Sequence, residues 1–147
     1  IALATMKGLA LGLNKPLVSV PTLDLFQGIA RFIGGACLAV IDAKKQRFYT
    51  ALFVDGIKIG ESSDLGLNEI ASLIAPHPSI TLLGSDGTLL AKRLADPKVA
   101  VFEAHRQNLG VELADRARKH YLETGADPLD QGPTYIRKSD AELALKE

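Results

Sequence analysis

The spacing of apolar and polar positions changes several times along the chain, and each change marks an element. Residues 1–13 are apolar almost throughout, with Lys7 the lone charge, and read as a helix. Asn14 tolerates left-handed backbone and suits the end of that helix, and Pro16 bars its continuation. "PLVSV", residues 16–20, then predicts a short buried strand. Thr22 is placed to cap a second helix, "LDLFQGIARF", with Asp24 in the first turn where a carboxylate suits the dipole. Gly34 and Gly35 end it and form the best candidate boundary in the chain.

From Ala36 the pattern becomes that of strands. "ACLAVID" reads as a strand buried on both faces, "AKKQ" as a polar turn, and "RFYTALFVDG" as a second strand running into an Asp55–Gly56 hairpin signal. "IKIGE" alternates as a third strand, so the three predict an antiparallel meander. Asn68 is a candidate cap for a short helix, "EIASLIA", stopped by Pro76 and Pro78. "SITLLGSDGTLLAKRLA" reads as strand, tight turn and helix, and "KVAVFEA" as a strand. The best-defined helix runs from Leu109 to about residue 124. Asn108 is its cap, and Leu109, Leu113, Ala117 and Tyr121 are its apolar line. Glu112–Arg116 and Asp115–Lys119 are favourable i,i+4 pairs, and Gly125 closes the helix. The remainder predicts a loop, a short extended piece at "TYIR", and a polar tail. The class is α/β.

At 147 residues, 47% hydrophobic and 23% charged, the chain suits one substantial core or two small lobes. Lys+Arg and Asp+Glu balance at 17 each. The balance argues against a broad basic field for nucleic acid, although the fold could still gather Lys44, Lys45, Arg47 and Arg137 into a local RNA-contacting patch. Cys37 is the single cysteine, so no internal disulfide forms, and a reducing, cytoplasmic compartment fits. Its place in an apolar run favours a buried thiol acting as a small hydrophobe over a nucleophile. No stretch approaches the roughly 20 apolar residues that span a bilayer.

Candidate chemistry is sparse. His77, His105 and His120 form neither HxxxH nor HExxH, which leaves no metal-ligand spacing. "GSDGT", residues 84–88, stands between strand and helix but matches neither a P-loop nor GxGxxG. A hydrolase built on Ser85, Asp86 and His105, acting on a peptide or a nucleotide, is the enzymatic alternative. Asp42 and Arg47 flank the polar turn with Tyr49 beside them. They read either as a pair pinning the hairpin or as a surface that contacts a partner. "GPTYIR" places Tyr135 and Arg137, residue types enriched at interfaces, in a loop. Ala4, Gly8 and Gly12 recur every fourth residue and form a small-residue stripe on the first helix, with Lys7 and Leu11 beside it. That stripe suits close approach of another helix, or packing against the chain's own sheet.

Several of these segments resemble one family. "ATMKGLALGLNKPLVSVPTLD" is similar to the "ATAKGLALAL-x-x-PLVGVSTL" segment of the bacterial TsaB (YeaZ-like, glycoprotease-like) proteins. "AVIDAKKQRFYTALF" resembles the family's "DAR-x-GEVY" hairpin. "LLGSDG" resembles its "GDG" turn, and Pro133, Tyr135 and Arg137 fit its "PxYLR". The resemblance implies an actin-like (ASKHA, ribonuclease H-like) fold in which residues 1–35 are a remnant of the first lobe and residues 36–147 the whole second lobe. Family members carry further strands ahead of the first helix, so the chain is expected to be a C-terminal portion. The implied role is that of a non-catalytic partner and scaffold for the TsaD enzyme, in forming threonylcarbamoyl-adenosine beside the tRNA anticodon. An associated ATPase subunit, a homodimer when the protein is alone, no cofactor or metal of its own, no membrane, and tRNA contact only through the complex belong to the same implication. Ala4, Lys7, Gly8, Leu11 and Gly12 would then form the partner interface. Asp42, Lys44, Lys45, Arg47, Tyr49, Tyr135 and Arg137 are candidate partner or RNA contacts.

Overall fold

Strand signals from Ala36 onward build a five-stranded mixed sheet in the computed structural model, which describes residues 1–103 and 109–137. β1 (Ala36–Asp42), β2 (Arg47–Val54) and β3 (Ile57–Gly66) form the expected antiparallel meander, with Ala39 opposite Ala51 and Leu52 opposite Ile59. β4 (Ile80–Leu83) lies parallel to β1, and β5 (Val99–Val101) lies parallel to β4, giving the order β3-β2-β1-β4-β5. β1 is central, which is why Cys37, Leu38, Ala39 and Val40 can all be fully buried.

Alternate side chains of the sheet enter different layers. Leu38, Val40, Phe48, Leu52, Ile80 and Leu82 pack with Ile70 and Ile74 of α3 (Leu67–Ile74) and Leu90 of α4 (Gly87–Leu94). Cys37, Ala39, Ala51, Phe53 and Leu83 have the other parity and are buried as well. Next to β1 and β2 stand a 3₁₀ helix (Thr22–Phe26), which buries Leu23, Leu25 and Phe26, and α2 (Gln27–Ile33), which buries Ala30. Thr22 therefore opens a 3₁₀ turn rather than capping one long helix. Gly34, at φ 74°, ends α2 as its residue type suggests. In α3 the N-cap is Gly66, not Asn68. The Gly66 N–H donates to the Glu69 carboxylate at 2.6 Å, which satisfies a first-turn donor without a capping side chain.

Contacts divide the described chain into two units. Residues 22–103 with 136–137 surround the sheet, and residues 1–21 with 109–135 make the second. The lobes at 1–35 and 36–147 remain an expectation of the resemblance. In the second unit α1 (Ala2–Gly12) ends at a left-handed Asn14, φ 50°, where the Lys15 N–H reaches the Ala10 carbonyl at 2.9 Å. α5 (Leu109–Thr124) is closed by Gly125, φ 89°, as expected. Its Glu112–Arg116 pair forms at 2.6 Å, but Lys119 faces Glu123 at 3.9 Å instead of Asp115. The cap expected at Asn108 lies outside the described residues. "PLVSV" is not a strand, and neither is "TYIR". The Leu17 carbonyl accepts from the Asp127 N–H at 2.9 Å and the Ser19 N–H donates to the Asp127 carboxylate, so no neighbouring strand ladders with the first segment.

Both hairpins of the meander turn through left-handed residues. Asp55 and Gly56 (φ 49° and 75°) form the second, whose twist matches the flanking strands. In the first, Lys44, Lys45 and Gln46 all have positive φ (62°, 51° and 60°), a conformation that costs a side-chain-bearing residue about 1 kcal/mol. Gln46→Gly is therefore expected to stabilise the sheet unit by about 1 kcal/mol. Denaturant titration checks this, and an unchanged or lower midpoint would contradict the turn geometry.

Candidate functional site

The small-residue stripe of α1 is open. Ala4, Gly8, Leu11 and Gly12 are exposed, and a Cβ placed on Gly8 or Gly12 would meet no atom within 4 Å. Met6, Leu9, Leu11 and Leu13 are each more than half exposed, and α1 buries Ala10 alone. Lys7 is separated from this stripe in role. Its ammonium donates to the Leu129 carbonyl at 2.6 Å and to the Gln131 carbonyl, fastening the loop after α5 to α1.

Asp127 completes that fastening. Its carboxylate accepts from the Ser19 N–H at 2.6 Å and the Ser19 hydroxyl at 2.5 Å, and lies 3.4 Å from His120 Nε2. The Ser19 hydroxyl bond, foremost, holds the carboxyl below its ordinary value. The Ser19 N–H and His120 act in the same direction, and burial opposes them. A depressed carboxyl contributes stability above its unfolded value of about 3.9 and loses it as pH falls through the folded value. Wild type should thus be more stable than Asp127→Asn at pH 5, with the gap closing below about pH 4. Melting followed by circular dichroism checks this, and a gap that does not narrow as pH falls below about 4 would contradict it.

The hairpin candidates separate into two charge clusters. At the end of β1, Asp42 accepts from the Lys44 N–H and the Lys44 ammonium, each at 2.9 Å. The Lys44 ammonium bond holds the Asp42 carboxyl low, and the same bond raises the Lys44 ammonium. Arg47 does not pair with Asp42, as the sequence had allowed. Its guanidinium binds the Asp64 carboxylate at 3.0 Å, the Asp64 carbonyl at 2.5 Å and the Glu69 carboxylate at 3.3 Å. Arg137 comes to the other oxygen of Asp64 at 3.5 Å. Asp64, with its side chain 11% exposed, gathers both arginines. It sits opposite Tyr49 on β3, a pairing no local motif announces. Lys45 lies on the exposed turn, Tyr49 is half-buried, and Tyr135 is exposed.

The "GSDGT" turn joins β4 to α4. The Ser85 hydroxyl donates to the Asp86 carboxylate at 3.0 Å, and the same oxygen accepts the Asp42 N–H at 3.0 Å. Asp86 thus ties the end of β1 to this turn. His105, the third member of the hydrolase alternative, lies outside the described residues. Among the described residues no group of three His, Cys, Asp or Glu could hold a metal ion, and no helix is long and apolar enough to cross a membrane. Burial, with Asp55 nearby, pushes the Cys37 thiol up and so disfavours the reactive thiolate.

Two solved structures from Pseudomonas aeruginosa share this architecture. One is YeaZ, and the other is an uncharacterized protein with similarity to the peptidase YeaZ. Each superposes with a TM-score of 0.66 at 21% identity, over 91% and 92% of this chain respectively. The fold is YeaZ-like. The chain spans 66% of the length of each of these structures. No protein-family model matches the sequence, and no curated protein does. The YeaZ-like fold agrees with what the four quoted segments imply, although none of those segments would specify it singly.

Proposed function

We propose that this chain is a TsaB-type binding and scaffold protein, the non-catalytic partner of a TsaD-type paralogue in forming threonylcarbamoyl-adenosine on tRNA. The supporting observation is the α1 stripe, where Ala4, Gly8 and Gly12 stand exposed with space above both glycines. Small side chains shorten the distance between packed helices, so this surface suits a helix of the paralogue, or of a second copy when the protein is alone. The associated ATPase subunit and a cytoplasmic location belong to the same reading. Contact with tRNA is assigned to the assembled complex, because Arg47 and Arg137 are engaged on Asp64. The non-catalytic role is supported by the Ser85–Asp86 arrangement, in which the hydroxyl is spent on a structural carboxylate.

Gly8→Leu tests the assignment. Since Gly8 has open space around it, the substitution should leave the isolated chain folded and raise helix stability by about 0.5–1 kcal/mol. At a packed helix interface the added bulk should cost about 1–3 kcal/mol, which is roughly fivefold to 150-fold in affinity. Unchanged association of the folded variant would exclude this face as the interface.

A further inference from the structure

We draw no further inference here: the strongest candidate, the shallow groove between β3 and α3 floored by Leu52, Ile59, Leu65 and Leu73, carries nothing because nothing in the structure shows what covers it.

Discussion

Gly84→Ala is expected to unfold the sheet unit well below the melting temperature of the wild type. Gly84 has φ 100°, which side-chain-bearing residues rarely adopt, and a Cβ there would stand 2.5 Å from the Val40 carbonyl oxygen. That oxygen belongs to β1, the central strand, so it cannot retreat without disturbing the pairing on both sides. The Phe26 ring, 3.4 Å from the same point, closes the remaining space. Conformational strain of about 1 kcal/mol together with the backbone clash should cost about 3–5 kcal/mol, a large part of a typical domain's stability. The expected drop in Tm is on the order of 10 °C or more by circular dichroism. Ser85→Ala, one residue further and exposed, should shift it little. If Gly84→Ala melted within about 2 °C of wild type, the close approach of the turn to β1 would be wrong.

Phe48→Ala should have an effect of similar size for a different reason. Phe48 is fully buried on β2 and packs within the cluster that joins β1 and β4 to α3 and α4. Truncation removes the transfer energy of the ring and leaves a cavity, together about 3–5 kcal/mol. It also removes the ring beneath the Arg93 guanidinium, which lies 5.5 Å from the centroid. A charge over an aromatic face contributes about 0.5–1 kcal/mol at an exposed site. Phe48→Leu keeps most of the volume and should cost about 1.5 kcal/mol or less. Urea titration of the three proteins gives the order. Equal midpoints for the alanine and leucine variants would contradict the packing.

Much of the sheet unit was legible because its signals are local. Asp55–Gly56 specifies a left-handed turn, the apolar run 36–41 specifies a central strand, and Gly34 stops α2. The same holds for Asn14 and Gly125, whose backbone tolerance places the ends of α1 and α5. Reading failed where a distant partner decides. "PLVSV" has the composition of a strand, but a strand needs a neighbour, and Leu17 and Ser19 are instead bound by Asp127, more than a hundred residues on. A pair between Arg47 and Asp42, its neighbour across the turn, was one of the two readings the sequence left open. Arg47 lies on Asp64 because antiparallel pairing of β2 with β3 brings that carboxylate alongside.

The candidate site divides the same way. Fourfold spacing of Ala4, Gly8 and Gly12 was enough to place them on one stripe, since helical geometry alone fixes it. That Lys7 would leave this stripe for the carbonyls of Leu129 and Gln131 depends on the loop after α5, which no periodicity near Lys7 reveals. Asp64 was missed altogether. It sits in a polar run whose only distinction is the strand it faces.

The most direct test of the scaffold reading is the solution mass, by light scattering, of this chain mixed with a TsaD-type paralogue. A one-to-one heterodimer is expected, weakened about fivefold or more by Gly8→Leu while circular dichroism of the variant is unchanged. Two separate species at every concentration, with both proteins folded, would contradict it.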